Sequence, residues 1–146
     1  MSIIKTQAII LKTTNFFEHD KRCECFSPDI GKFTCLAKYA TKSKKKSWSL
    51  EPLSIVNFTL FKGKSFYIIN EYSVVKYYDV IRHSFNLLQY ALFYLNIIKH
   101  TIYEGQQNPE LFNLINSTLL QLNTSQNSSK TTETFFYNYI CLEGLN

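Results

Sequence analysis

Four glycines in 146 residues leave little room for a phosphate-cradling glycine loop, and no strand-to-helix nucleophile elbow can be traced. The cysteines Cys23, Cys25, Cys35 and Cys141 include no CxxC pair. Cys23 and Cys25 alternate along one strand face, so core positions are expected for them rather than metal ligation or a disulfide. No metal site and no cofactor are expected. The acids Asp20, Glu24, Asp29 and Glu51 are scattered without paired-carboxylate spacing. His19, His83 and His100 stand far apart, where surface or capping roles fit better than general-base chemistry. Together these absences argue against an enzyme. Long apolar runs are also missing. Met1-Ser2-Ile3-Ile4-Lys5-Thr6 has no hydrophobic h-region, and the most apolar later stretch is broken by Asn86, Gln89 and Asn96, so neither export nor membrane spanning is expected. A cytoplasmic location follows as the expectation, and the Asn-x-Ser/Thr matches at Asn57, Asn116, Asn123 and Asn127 then reflect asparagine abundance alone.

What is present is a globular composition, 45% apolar and 16% aromatic, too hydrophobic for a disordered chain. The formal charge of +5 is unevenly placed. Thirteen Lys/Arg face seven Asp/Glu from Met1 to Val80, whereas three face four from Ile81 to Asn146. A basic first half points to nucleic acid or an anionic surface as partner, through phosphate neutralisation and counterion release. Its centre is the run from Lys38 to Trp48, with Lys38, Lys42, Lys44, Lys45 and Lys46 inside nine positions.

The same half reads as sheet. Ile4–Thr14 is a β-branched first strand. Lys21–Ser27 and Lys32–Tyr39 make a hairpin through Ser27-Pro28-Asp29-Ile30-Gly31, where Pro presets φ and Gly can turn left-handed. Leu53–Phe61 alternates with period two, and Lys62-Gly63-Lys64-Ser65 turns the chain into Phe66–Tyr78. Five strands with a long basic loop before the fourth match a partly open Greek-key barrel of the OB type. An SH3-like barrel is the alternative.

From Arg82 the period becomes helical. One stripe holds Phe85, Leu88, Leu92, Leu95 and Ile102, another Leu87, Ala91, Tyr94 and Ile98, and Gly105 suits the helix end. Asn108-Pro109-Glu110 starts a second helix with a cap, a first-turn proline and an acid. Asn123–Lys130 is polar and reads as loop, and Thr132–Leu142 as a third helix. The expected fold class is therefore α+β, a five-stranded OB barrel over residues 1–80 followed by a small all-α domain over 81–146 with three helices and no zinc module.

In an OB barrel the connection holding Lys62 and Lys64 borders the same face as the basic loop. Lysines tracking phosphates, with Tyr39 and Trp48 as flat surfaces for bases, suit sequence-tolerant single-strand binding. Phe66 and Tyr67 continue the second loop, one of them pointing inward as core. Lys12, Lys21, Arg22 and Lys32 are candidates to extend the groove, although each taken alone fits ordinary surface. The candidate site is thus Lys21, Arg22, Lys38, Lys42, Lys44, Lys45, Lys46, Trp48, Lys62 and Lys64.

Several stretches in order resemble the bacterial RecO family of recombination mediators. They are Ile3-Ile4-Lys5-Thr6-Gln7-Ala8-Ile9-Ile10-Leu11-Lys12, Asp20-Lys21-Arg22, Phe26-Ser27-Pro28-Asp29-Ile30-Gly31-Lys32, Leu36-Ala37-Lys38, Leu50-Glu51-Pro52-Leu53, the strand reaching Glu71, and Asn108-Pro109-Glu110-Leu111-Phe112. The resemblance implies an OB domain binding single-stranded DNA, a helical domain, and strand annealing without bond-making catalysis. It also implies RecR as partner, contact with single-strand-binding protein (SSB), and help in loading RecA recombinase during DNA repair. Lys38, Lys42, Lys44, Lys45 and Lys46 fall on the family's phosphate-binding loop. The chain departs from the family at Tyr39 and Thr41, where relatives tend to carry glycine and a basic residue. Family members usually continue past the position of Asn146, many with a four-cysteine zinc module, so the helical domain looks curtailed. A protein-interaction adaptor and an RNA-binding OB module are the competing functions.

Overall fold

The computed structural model describes residues 2–38, 50–124 and 128–143. They form five strands, β1 (Ile3–Phe16), β2 (Asp20–Ser27), β3 (Gly31–Ala37), β4 (Ile55–Lys62) and β5 (Tyr67–Lys76), and four helices, α1 (Asp79–Arg82), α2 (Phe85–Thr101), α3 (Pro109–Thr124) and α4 (Ser128–Leu142). The strands close in the order β1-β2-β3-β5-β4, the OB-type barrel rather than the SH3-like alternative. The chain divides into two compact units, Met1–Tyr77 with Ile102–Gln107, and Tyr78–Thr101 with Asn108–Asn146.

β1 serves two neighbours. It pairs with β4 from Ile3 to Ile9 and with β2 from Ile9 to Phe16, and a bulge between Ile10 and Lys12 bends it from one partner to the other. At the hand-over the backbone of Ile10 is satisfied from outside the strands: Leu53 N–H donates to its carbonyl and its own N–H donates to Ser54 O, both at 3.0 Å. This explains why β4 begins at Ile55 and not at Leu53. Leu53 sits at φ 78° in a turn that Ser54 N–H closes onto Glu51 O at 3.2 Å.

Alternation fills the barrel. Ala8 and Ile10, Cys23 and Cys25, Phe33 and Cys35, and Val56, Phe58 and Leu60 point into one core. The Phe33 ring meets Phe58 and Tyr67 edge-on, at centroid distances of 6.3 and 5.6 Å. Tyr67 is thus the inward member of the Phe66-Tyr67 pair.

The β2–β3 turn follows its sequence signature. Ile30 N–H donates to Ser27 Oγ at 2.9 Å and Gly31 takes φ 82°. A tertiary demand falls on the same glycine, since a Cβ there would lie 2.2 Å from Gln106 O. The segment Ile102–Gln107 clasps this hairpin: Gly105 N–H donates to Lys32 O at 2.7 Å, and Gln107 Nε2 donates to Asp29 O at 2.8 Å. Gly105 therefore belongs to the clasp and does not end α2, which stops at Thr101.

In the second unit the helical stripe that is buried is Ala91, Tyr94, Leu95 and Ile98; Phe85 is 76% exposed and Leu92 is exposed as well. α2 is capped by Ser84, whose Oγ accepts from Leu87 N–H at 3.3 Å. A separate turn, α1, precedes it, and its Ile81 N–H donates to Asn123 Oδ1 at 3.1 Å. α3 begins as its sequence indicates, with Asn108 Oδ1 accepting from Leu111 N–H at 3.1 Å. α4 starts at Ser128, ahead of the expected start at Thr132, and seats Phe135 against the Tyr94 ring at 4.7 Å. No helix of the described residues is long and apolar enough to cross a membrane.

Candidate nucleic-acid interface

Strand register decides which of the candidate cations are neighbours. Arg22 stands opposite Leu36, Leu36 opposite Ile68, and Ile68 opposite Phe61. The start of β2, the end of β3, the start of β5 and the end of β4 therefore share one row, three inter-strand steps or about 15 Å across. Lys21 and Arg22 lie at the first of these ends, Lys38 just past the second, and Lys62 at the last, with Lys64 in the β4–β5 turn. Lys38, Lys62 and Lys64 are exposed. Lys42, Lys44, Lys45, Lys46 and Trp48 lie outside the described residues, as do Tyr39 and Thr41.

The two cations on β2 are engaged. Lys21 Nζ lies 3.9 Å from Glu51 Oε1, an ion pair that contributes at most about 1 kcal/mol at a partly exposed site. Arg22 places its guanidinium over the Phe66 ring, 5.5 Å from the centroid, and its Nε is buried without a hydrogen-bond partner. Phe66 in turn meets Phe16 edge-on at 5.9 Å, and Phe16 meets Phe17 at 4.4 Å. An aromatic ridge thus joins the β1–β2 connection to the β4–β5 connection. Phe16 and Phe17 fall between the expected strands Ile4–Thr14 and Lys21–Ser27, in a segment to which the sequence assigns no role. Two adjacent phenylalanines in a segment with nothing to bury are the signal that marks them.

Two grooves meet at Lys38. One, of about 500 Å³, is lined by Ala37, Lys38, Leu50, Ile69, Asn70, Glu71 and Tyr72. The other, of about 410 Å³, is lined by Phe17, Glu18, His19, Asp20 and Lys38. A third groove of about 510 Å³ lies over the mid-strand positions Thr6, Phe58 and Tyr72; it carries one lysine, Lys5, against Asp29 and Glu71, the same balance as the groove at Phe17, but none of the cations of the candidate row lines it. Lys32 is not on the rim. It sits at the start of β3, opposite Phe26, with its Nζ 3.4 Å from Ile102 O in the clasp.

Cys23, Cys25 and Cys35 are buried in the barrel, with Cys25 Sγ 4.0 Å from Cys35 Sγ, and Cys141 is exposed on α4. A hydrogen bond with Cys35 and then burial push the Cys23 thiol far up; burial does the same to Cys25. Groups of three or more His, Cys, Asp and Glu able to hold a metal are absent among the described residues.

Residues 1–78 match the family model described as "Recombination protein O N terminal". The chain is 32% identical over 118 residues to the DNA repair protein RecO of Alkaliphilus metalliredigens, covering 80% of this chain and 48% of that one. It is 34% identical over 113 residues to that of Clostridium novyi, covering 77% and 44%, and 32% identical over 129 residues to that of Acetivibrio thermocellus, covering 88% and 51%. The chain spans about half the length of these relatives. A closed five-stranded OB barrel, together with a family match over more than half of the chain, places this protein in the RecO family.

Proposed function

We propose that the barrel binds single-stranded DNA along the row from Lys21 and Arg22 past Lys38 to Lys62 and Lys64, and that the chain acts as a mediator of DNA repair without bond-making catalysis. The observation that carries this reading is the convergence of those cations, on different strands and far apart in sequence, on one row flanked by aromatic rings. Lysines on such a row meet phosphates in any sequence. Two strands whose charge is neutralised on one surface can approach each other, which is the physical requirement of annealing. Family membership supports the finer roles: RecR as partner, SSB as a further contact, and assistance in loading RecA recombinase in the bacterial cytoplasm, close to the nucleoid.

The test is a salt titration of single-strand binding by the wild type and by the Lys38→Ala/Lys62→Ala/Lys64→Ala variant, which removes the exposed lysines of the row. Each lysine that meets a phosphate adds about 0.7 to the slope of log affinity against log salt. The wild type is expected to bind with a steep slope, and the variant with several-fold lower affinity and a shallower one. Salt-insensitive binding, or an unchanged variant, would overturn the reading. Preference for RNA in competition would select the RNA-binding alternative.

A further inference from the structure

Phe17 is 84% exposed in the β1–β2 connection and its backbone sits at φ 53°. That left-handed conformation is disfavoured for any residue with a Cβ and is usually left to Gly, Asn or Asp. A phenyl group held there keeps apolar surface in water and the backbone in a strained well, so folding gives no reason for it. Strain that packing does not require points to function. The ring is also held in place. Phe16 meets it at 4.4 Å and 67°, Phe66 meets Phe16 at 5.9 Å, and Arg22 covers Phe66. The ridge therefore runs between the β1–β2 and β4–β5 connections, which in barrels of this type border the face where oligonucleotides lie.

Charge tells what Phe17 can receive. Glu18 and Asp20 line the same groove, with His19 Nε2 3.8 Å from Glu18 Oε2, so a phosphate is repelled there while the neutral face of a base is not. Lys38 lines the same groove and is the cation there that a neighbouring phosphate could meet.

We propose that Phe17, supported by Phe16, is a base-stacking step of the single-strand site: an unpaired base lies on the Phe17 ring while the flanking phosphate lies toward Lys38. This rests on the single-strand reading above and adds discrimination to it. Lysines attract duplex and single strand alike, but a base in a duplex already has both faces stacked. Only an unpaired base can use the ring.

The experiment compares three probes, oligo(dT), an abasic strand of equal length and a duplex, with the wild type, Phe17→Asn and Phe17→Trp. Asn tolerates the left-handed backbone and removes the ring, and a thermal melt by circular dichroism confirms that each variant is folded. The wild type is expected to bind oligo(dT) roughly tenfold more tightly than the abasic strand, a loss within the range of one stacked base. Phe17→Asn loses about that factor on oligo(dT) only, with an unchanged salt slope, and its preference for single strand over duplex shrinks by the same factor. Phe17→Trp retains both. If folded Phe17→Asn binds oligo(dT) as the wild type does, or weakens equally on the abasic strand, stacking at Phe17 is wrong while single-strand binding stands. If the wild type fails to bind oligo(dT) at all, both readings fall.

Discussion

Arg22 lies over the Phe66 ring, its guanidinium carbon 5.5 Å from the centroid, and so ties the start of β2 to the turn between β4 and β5. The contact holds one cation of the candidate row beside the aromatic ridge. Planarity matters here as much as charge, because a guanidinium can stack on a ring while an ammonium sits over it as a point. Arg22→Ala should therefore lower stability by about 1 kcal/mol, the scale of a partly exposed cation–π contact, and weaken single-strand binding severalfold. Arg22→Lys should recover the salt slope but only part of the stability. Chemical denaturation and a salt titration on the same three proteins check this. A lysine variant as stable as the wild type would remove the stacking argument.

Gly31 answers two demands at once, a φ of 82° and the approach of Gln106 O, 2.2 Å from where a Cβ would stand. The left-handed conformation alone costs a Cβ-bearing residue about 1–2 kcal/mol, and the collision with backbone adds to it. Gly31→Ala should thus destabilise by more than about 2 kcal/mol, far beyond the few tenths expected of an ordinary exposed turn substitution. Hydrogen exchange should show the amide of Gly105, which donates to Lys32 O, losing protection in this variant. Protection at wild-type level would mean that the clasp does not depend on the close approach.

The start of α3 is written in three consecutive residues. Asn108, Pro109 and Glu110 supply a cap, a fixed φ and a favourable charge, and Asn108 Oδ1 does accept from Leu111 N–H at 3.1 Å. Asn108→Ala should cost about 1 kcal/mol, measured by denaturant midpoint. Asn108→Asp should cost much less, because it keeps the acceptor and adds a charge at the positive end of the helix.

Other features are legible in the sequence for the same reason: their causes are local. Period-two alternation places Phe58 and Leu60 in the barrel, and Ser27 to Gly31 announces its turn. What cannot be read there depends on partners distant in sequence. The clasp of Ile102–Gln107 on the β2–β3 hairpin has no local signature beyond Gly105, whose neighbouring helix suggests a helix end instead. In α2 two apolar stripes compete, and only packing decides that Ala91, Tyr94 and Ile98 of one are buried with Leu95 of the other while Phe85 and Leu92 stay exposed. At the candidate interface the lysines are visible as charge, but the ridge of Phe16, Phe17 and Phe66 is not, because its members come from two connections that only barrel closure brings together.

The buried thiols give the protein an alkaline limit. Cys23 is raised by its hydrogen bond with Cys35 and by burial, and Cys25 chiefly by burial. Cys35 stands well above its ordinary range, although its bond with Cys23 pulls it down, because its bond with Cys25 and burial raise it. In the unfolded chain all three ionise near the ordinary value of 9.0. The folded state therefore holds more protons than the unfolded one above that pH, and stability falls as pH rises. Below about pH 8 the contribution is complete and flat. By about pH 10 each thiol can remove up to roughly 1.4 kcal/mol, the energy of one pH unit per proton. Tyr78, pushed up to about 12 by burial, adds to the decline only above its ordinary value of 10.0. Denaturant midpoints from neutral pH to about pH 10.5 should trace this curve, and Cys25→Ala, less stable at neutral pH, should show a slope shallower by one proton. Thiol titration provides the independent reading: in the native protein near pH 8 only Cys141 should react, and all four cysteines once guanidinium opens the barrel. Rapid reaction of more than one thiol under native conditions would show that the barrel core admits water.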